Sequence, residues 1–123
     1  MNTIILVEDE QPVRDLLFEF LQDLGYQVHV FETADQAWLH IQQRPYPVQL
    51  LITDLCMPGK MDGMDLVRKL QATQPESPIV VMSGYHPRAD SLRSDDVHWL
   101  AKPFSLQCLE TFCRKIFSSD RQV

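Results

Sequence analysis

Near the start of the chain stands Thr3-Ile4-Ile5-Leu6-Val7-Glu8-Asp9-Glu10, a short apolar run that ends directly in three acidic residues. An uninterrupted apolar run of this length is typical of a strand that is buried on both faces of a parallel sheet. Four more runs of about five residues, each rich in Val, Ile or Leu, predict further strands. They lie at Gln27–Phe31, Val48–Thr53, Pro78–Met82 and Val97–Ala101.

The stretches between these runs place apolar residues at helical spacing, which predicts helices. In the first stretch the spaced residues are Val13, Leu16, Leu17, Phe20, Leu21 and Leu24. Pro12 suits the first turn of this helix, and Gly25 suits the position just beyond its end. Capping residues open the later helices: Thr33 with Gln36 as a T-x-x-Q capping box, Asp62, and Ser105. The segment from His86 to Asp96 is polar, so it predicts only a short or irregular fourth helix.

Strands that alternate with helices predict an α/β domain in which helices cover both faces of a five-stranded parallel sheet. The first, third and fourth runs are almost entirely apolar, as central strands should be. The second run contains His29 and the fifth contains His98, which indicates that these two strands lie at the edges. The strand order 2-1-3-4-5 satisfies this pattern, and it is the flavodoxin-like doubly wound arrangement.

The composition is that of one ordinary globular domain. Of the 123 residues, 45% are apolar and 23% are charged, which excludes disordered, collagen-like and coiled-coil chains. No apolar run is long enough to span a membrane, and the first residues lack the basic region of a signal peptide. The net charge of −6 argues against direct binding of nucleic acid, because phosphate contacts need basic clusters.

The three cysteines, Cys56, Cys108 and Cys113, form no C-x-x-C pair. An odd number of cysteines without such a pair favours the reducing cytoplasm over a disulfide framework. We therefore expect a cytoplasmic protein in which all three cysteines are small, buried hydrophobic side chains.

Charged and polar residues follow directly after four of the predicted strands. Glu8 and Asp9 follow the first strand, Asp54 the third, Ser83 the fourth and Lys102 the fifth. In a doubly wound sheet, ligands bind beyond the carboxyl ends of the strands at the point where the strand order reverses, so these groups should surround one crevice. Three carboxylates brought together repel one another, and a divalent cation such as Mg²⁺ would relieve that repulsion.

These residues complete a pattern that resembles the receiver (REC) domain of two-component response regulators. Five pieces of the sequence match, in the order of that family: Ile4–Glu10, Thr53–Pro58, Asp62–Gly63, Met82–Tyr85 and Lys102–Phe104. The resemblance implies phosphorelay signalling by a single receiver domain over residues 1–123, without an output domain. The implied partner is a sensor histidine kinase or a histidine phosphotransfer domain. Neither nucleic acid nor a membrane is an implied partner, and a weak homodimer is compatible with the resemblance.

The resemblance also implies a role for each residue of the crevice. Asp54 would be the phosphoacceptor, a carboxylate nucleophile that forms an aspartyl-phosphate. Asp9 and Asp54 would bind Mg²⁺ directly, together with the backbone carbonyl of Cys56. Glu8 would act through a metal-bound water, and Lys102 would pair with the phosphoryl oxygens.

Two further residues would form the switch. Ser83 would hydrogen-bond the phosphoryl group, and Trp99 on the fifth strand would follow that movement and bias a partner-binding surface. The sequence departs from the family at Glu8, where Asp is commoner, and between Ser83 and Lys102, where it is shorter by about one helical turn. Because Trp99 is bulkier than the usual Tyr or Phe, we expect its inward movement to be restricted.

Three other functions fit parts of the pattern. A phosphatase could use Asp54 as its nucleophile, but a haloacid-dehalogenase-like enzyme would need a second acid where Cys56 stands. A flavodoxin-like FMN binder would need a phosphate-cradling loop after the first strand, and Glu8-Asp9-Glu10 has the opposite charge. A pseudo-receiver that only docks partners would not need the complete set of acids, serine and lysine. The resemblance to receiver domains instead implies a signalling switch that catalyses its own phosphorylation and slow dephosphorylation.

Overall fold

The computed structural model describes residues 2–55, 61–83, 97–102 and 105–119. Within these ranges the chain forms five strands and four helices. The strands are β1 (Thr3–Val7), β2 (Gln27–Phe31), β3 (Leu51–Asp54), β4 (Ile79–Ser83) and β5 (Val97–Ala101). The helices are α1 (Gln11–Asp23), α2 (Ala34–Gln43), α3 (Gly63–Thr73) and α4 (Leu106–Ser119).

The five strands are parallel and pair in the order β2-β1-β3-β4-β5. The three apolar strands are central, and the strands that contain His29 and His98 lie at the edges, so the predicted order is confirmed. The strand order reverses between β1 and β3, which is where a doubly wound sheet forms its crevice. The pairs that align the ends of the central strands and β5 are Val7–Thr53, Asp54–Met82 and Ser83–Ala101.

The sheet packs against two hydrophobic layers, and β1 contributes to both. Ile5 and Val7 pack in the layer with α2 and α3, whereas Ile4 and Leu6 pack in the layer with α1 and α4. None of these four side chains is more than 1% exposed. Burial of each side chain contributes about 1.5–3 kcal/mol, which explains why β1 is apolar at all four positions from Ile4 to Val7 rather than at alternate ones.

Helix α1 begins and ends as its sequence predicts. Pro12 lies in its first turn. At the other end Gly25 has a φ of 100°, a conformation that glycine adopts without strain. The N–H of Gly25 donates to the carbonyl of Gln22 at 3.0 Å, and that of Tyr26 donates to Leu21 at 3.3 Å. These two bonds form a Schellman motif, which stops the helix and turns the chain into β2.

The predicted caps of α2 and α3 are present, although one differs in detail. Thr33 Oγ1 accepts a hydrogen bond from Gln36 N–H at 3.2 Å, as expected. The Gln36 carboxamide, however, accepts from Glu32 N–H and not from Thr33 N–H, so the predicted capping box is only half formed. At α3, Asp62 and Asp65 each accept a hydrogen bond from the other's main-chain N–H, which makes a complete box.

Strand β3 begins later than its apolar run predicts. The run starts at Val48, whereas the strand starts at Leu51. The reason is that Val48 N–H donates to the side chain of Gln74 at 2.7 Å instead of joining the sheet. The Gln74 oxygen also accepts from Ser77 Oγ at 3.0 Å, and so connects the approach to β3 with the turn before β4. Strand β4 also begins one residue later than predicted, and both strands extend one residue further.

One prediction about a single side chain was wrong. Cys108 is exposed rather than buried, because it lies in the first turn of α4, where its N–H donates to the predicted cap Ser105 at 3.2 Å. Leu16 is 53% exposed and lies outside the core face of α1. Cys113 is buried as predicted, and burial raises the pKa of its thiol to about 12. Cys56 lies outside the described residues.

The segment between β4 and β5 also lies outside the described residues, so the short or irregular fourth helix stays a prediction. The helix after β5 is therefore the one labelled α4. Among the helices described above, none combines the length and the apolar character that crossing a membrane requires.

Candidate functional site

Glu8 is the first residue after β1, and the fold buries it completely. Its N–H donates to the carbonyl of Phe31 at 3.1 Å, which holds it beside the end of β2. Its Oε1 accepts a hydrogen bond from Glu10 N–H at 3.2 Å. Its Oε2 is buried and accepts no hydrogen bond from the described residues, while Lys102 Nζ lies 3.5 Å away. The fold thus holds a buried carboxylate oxygen that has Lys102 as an ion-pair partner and accepts no hydrogen bond from the described residues.

Asp54 ends strand β3, and its main chain lies against the start of α3. Gly63 N–H donates to the carbonyl of Leu55 at 2.9 Å. A Cβ at Gly63 would overlap the carbonyl oxygen of Asp54 and would lie 2.6 Å from Leu55 Cα. Only glycine therefore allows α3 to pack this closely against the end of β3. The Asp54 side chain remains 12% exposed, so a reactant has access to it.

Lys102 follows β5 and contacts two carboxylates at this edge of the sheet. Its Nζ donates a hydrogen bond to Asp54 Oδ2 at 2.7 Å and lies 3.5 Å from Glu8 Oε2. Burial by itself lowers the pKa of this lysine, but the hydrogen bond and the charge of Asp54, together with Glu8, outweigh burial and raise the pKa overall. Lys102 is consequently a charged ammonium group at neutral pH.

Three carboxylates converge beside this ammonium group. Glu8, Asp9 and Asp54 each place one oxygen so that the three atoms lie within 4.8 Å of one another. Burial is the main cause of the raised pKa of Glu8; Asp54 and Asp9 raise it further, whereas Glu10 N–H and Lys102 lower it. A divalent cation would remove this electrostatic cost. The donors are all oxygens, and one buried Glu8 oxygen lacks a hydrogen bond, so the cluster fits a hard cation and could bind a metal.

The structure brings together four of the predicted site residues, Glu8, Asp9, Asp54 and Lys102. Ser83 is the last residue of β4 and lies in register with Ala101, so its main chain lies at the same edge of the sheet. Trp99 on β5 is partly buried against the layer of α2 and α3. Its indole Nε1 is buried and has no hydrogen-bond partner among the described residues. Cys56, the predicted carbonyl ligand, is outside those residues.

One residue at this edge was missed by sequence reasoning. Arg14 of α1 donates from Nη1 to the carbonyl of Glu8 at 2.9 Å and to that of Asp9 at 3.4 Å. A signal for it exists in the sequence, because a positive charge near a helix N-terminus opposes the helix dipole and needs a compensating partner.

Comparison with known proteins is consistent with this fold and site. The response regulator receiver domain family matches residues 4–114. The response regulator receiver protein CpdR of Brucella abortus (strain 2308) is 34% identical over 114 residues, which cover 89% of this chain and 91% of that protein. The sensor kinase CckA of the same organism is 35% identical over 117 residues, which cover 93% of this chain and 12% of the kinase. This chain also spans less than half of several other curated relatives.

Solved structures show the same similarity. The response regulator protein TrrA of Thermotoga maritima, solved in complex with Mg²⁺-BeF, has a TM-score of 0.81 and 26% identity to this chain. The match covers 94% of this chain and 99% of that one. From the family match, the strand order and these relatives, we conclude that the chain belongs to the response regulator receiver domain family and functions in phosphorelay signal transduction.

Proposed function

We propose that Asp54 accepts a phosphoryl group from a phosphohistidine on a sensor histidine kinase or a histidine phosphotransfer domain. The observation that supports this most strongly is the position of Lys102 Nζ, 2.7 Å from one oxygen of Asp54. One oxygen of the Asp54 carboxylate also lies within 4.8 Å of carboxylate oxygens of Glu8 and Asp9. The Asp54 side chain remains partly exposed. The relative CckA is a sensor kinase by name, which supports a kinase as the partner.

The transfer is a displacement at phosphorus. An oxygen of Asp54 forms the new P–O bond while the P–N bond to the histidine breaks, and the electron pair of that bond returns to the imidazole nitrogen. The product is an acyl phosphate on Asp54 and an unmodified histidine on the donor. Such a transfer needs alignment and charge compensation more than covalent assistance, and the residues around Asp54 are suited to both.

Lys102 provides charge compensation from the chain itself. A carboxylate that attacks an anionic phosphoryl group brings like charges together, and a fixed ammonium group offsets that repulsion. The raised pKa of Lys102 keeps this group charged. Its hydrogen bond to Asp54 also orients the carboxylate before the donor arrives.

We propose Mg²⁺ as the cation of the acidic cluster. Asp9 and Asp54 would hold it directly, Glu8 would act through a bound water, and the Cys56 carbonyl would add a further oxygen, as the family resemblance implies. When bound, the ion offsets the negative charge of the transferring group. The buried Glu8 oxygen without a hydrogen bond supports a cation here, as does the Mg²⁺ in the structure of TrrA.

The signal would leave the site mainly through Ser83, and Trp99 would follow only as far as its packing against the layer of α2 and α3 allows. The phosphoryl group on Asp54, at the end of β3, would add about −1.5 to −2 charges and three acceptor oxygens. Ser83 at the end of the neighbouring strand β4 would donate a hydrogen bond to one of these oxygens. Trp99 lies one strand away, in register with Val81. A shift of either residue would change the surface that a partner contacts. We place this exchange in the cytoplasm, which the free thiols of Cys108 and Cys113 support.

Intact-mass spectrometry after incubation with acetyl phosphate tests the proposal. The wild type should gain one phosphoryl group with Mg²⁺ and none after chelation, and Asp54→Asn should gain none. Asp23→Asn removes an exposed carboxylate at the end of α1 and should behave like the wild type. A folded wild type that accepts no phosphoryl group, even from a phosphohistidine donor, would indicate a docking module. Continuous hydrolysis of other phosphate esters would indicate a phosphatase, and either result contradicts the proposal.

A further inference from the structure

We propose that Arg14 is a positioning residue that holds residues 8–10, the loop between β1 and α1, in the conformation that the Mg²⁺ site requires. The inference rests on the proposed function and adds to the site one positively charged side chain, that of Arg14, which lies outside the acidic cluster. Arg14 would act on the main chain of Glu8 and Asp9, and through it on the direction of their carboxylates.

The contacts of Arg14 support this role. The main-chain N–H of Arg14 donates to the carbonyl of Glu10 at 2.9 Å, so the first turns of α1 hold the main chain of this residue rigidly. From there Nη1 donates to the carbonyl of Glu8 at 2.9 Å and, over a longer distance of 3.4 Å, to that of Asp9. One planar guanidinium group thus bridges the consecutive carbonyls of the two residues that follow β1.

Asp9 depends on this bridge more than Glu8 does. The Glu8 main chain has a second anchor, the hydrogen bond from its N–H to Phe31 at 3.1 Å, and Glu10 N–H holds its carboxylate at 3.2 Å. The Asp9 main chain, by contrast, has only the 3.4 Å hydrogen bond from Arg14 among the described residues. Loss of Arg14 should therefore free Asp9, a proposed direct ligand, and leave Glu8 in place.

Two effects of Arg14 on a cation oppose each other. Its hydrogen bonds orient the ligands, whereas its positive charge repels the ion. The guanidinium contacts carbonyl oxygens, and the charges that act on the Glu8 carboxyl belong to Lys102, Asp54 and Asp9. Arg14 is also partly exposed, so solvent and salt screen its charge. The orientation of the ligands should therefore outweigh the repulsion of the ion by Arg14. Loss of a group that orients metal ligands typically lowers the metal affinity about tenfold or more.

Isothermal titration calorimetry with Mg²⁺ tests this inference on four proteins: the wild type, Arg14→Met, Arg14→Lys and the control Arg114→Met. Arg114 is an exposed arginine on α4 that pairs with Glu110. We expect the Kd for Mg²⁺ to rise about tenfold in Arg14→Met, to rise less in Arg14→Lys and to stay unchanged in Arg114→Met. Saturating Mg²⁺ should also restore the rate of phosphorylation of Arg14→Met, because the variant loses ion affinity and keeps its acceptor.

The outcomes separate this inference from a purely structural role and from the proposed function. A structural role would lower the free energy of unfolding without changing the Kd of the folded protein, so unchanged or tighter Mg²⁺ binding by Arg14→Met overturns the inference. If Arg14→Met does not fold, the Arg14→Lys variant provides the test. A Kd for Mg²⁺ in Arg14→Lys equal to that of the wild type would also overturn the inference. A wild type that neither binds Mg²⁺ nor accepts phosphate contradicts the proposed function instead.

Discussion

Gly63 determines how closely helix α3 approaches the residue that we propose as phosphoacceptor. The position has no room for a Cβ, because main-chain atoms of Asp54 and Leu55 occupy that space. Main-chain atoms of a central strand cannot rotate away as a side chain can. An added methyl group must therefore displace either the helix or the end of β3.

Gly63→Ala should destabilise the protein by about 3 kcal/mol, since overpacking against main chain is among the costlier small substitutions. The displaced Asp54 should also accept phosphate from acetyl phosphate on the order of tenfold more slowly. Urea denaturation and mass spectrometry measure the two effects.

The matched control is Gly25→Ala, where the added Cβ meets no atom within 4 Å. Because position 25 has a φ of 100°, the alanine should lower the free energy of unfolding by about 1 kcal/mol. The rate of phosphorylation should not change. Equal effects of the two substitutions on phosphorylation would contradict a special role for the contact at Gly63.

His40 provides a prediction about pH. Its ring packs against those of His29 and Phe31, with centroids 5.2 and 5.0 Å away, and its Nε2 is buried with no hydrogen bond from the described residues. Burial, and then the charges of His29 and Arg44, lower the pKa of His40 below 6.5. The folded state thus favours the neutral ring. The stabilisation that this preference contributes is fully present above pH 6.5, the ordinary pKa of histidine. It is lost as the pH falls from there through the lower pKa that His40 has in the folded protein.

Urea denaturation at a series of pH values should show this loss in the wild type. His40→Phe keeps an aromatic ring in the same place and removes the titration, so its free energy of unfolding should decline less on acidification. Parallel pH profiles for the two proteins would mean that His40 does not resist protonation in the folded state.

At the scale of elements, Gln74 connects three parts of the chain. It follows α3, and its side-chain oxygen accepts hydrogen bonds from Val48 N–H before β3 and from Ser77 Oγ before β4. Val48 is only 4% exposed, so its N–H has little access to water. The side chain therefore replaces a sheet hydrogen bond at the point where β3 has not yet begun.

Gln74→Leu should lower the free energy of unfolding by about 2 kcal/mol, because it leaves the buried N–H of Val48 without an acceptor. Thermal or urea denaturation provides the measurement. Gln42→Leu, at an exposed position of α2, makes the same chemical change without that bond and should have little effect. A similar loss in both variants would show that the Gln74 hydrogen bond contributes nothing of its own.

In the whole molecule, β5 contains Trp99 and leads directly into Lys102, so this strand would couple the proposed phosphorylation site to the proposed switch. Trp99 packs against the layer of α2 and α3, and its indole nitrogen is buried. A side chain of this size has few alternative rotamers in a packed layer. Phosphorylation of Asp54 should therefore cause little movement of the Trp99 side chain.

Fluorescence in a Trp38→Phe background, which leaves Trp99 as the sole tryptophan, measures that movement. Addition of beryllofluoride with Mg²⁺, as a phosphoryl mimic, should leave the intensity and the emission maximum nearly unchanged. A large change would contradict a restricted switch at Trp99.

The sequence was sufficient to predict the fold because each strand is a separate apolar run and the two edge strands contain histidine. It was also sufficient to place Glu8, Asp9, Asp54 and Lys102 together, since the ends of parallel strands share one edge of the sheet. It could not predict where β3 begins, because Val48 pairs with a side chain 26 residues away. The burial of Glu8 Oε2 without a hydrogen bond could not be predicted either, because it arises from tertiary packing. The charge of Arg14 near a helix N-terminus was a signal in the sequence, but that signal does not identify the two carbonyls that Arg14 contacts.

We propose one carboxylate, that of Asp54, as the acceptor of the phosphoryl group. Borohydride reduction followed by peptide mapping tests it most directly, since reduction converts an aspartyl phosphate into homoserine at the modified position. After phosphorylation of the wild type with Mg²⁺, we expect homoserine at position 54 and at no other acidic residue. Homoserine at position 8 or 9, or a phosphorylated protein in which position 54 remains aspartate, would contradict it.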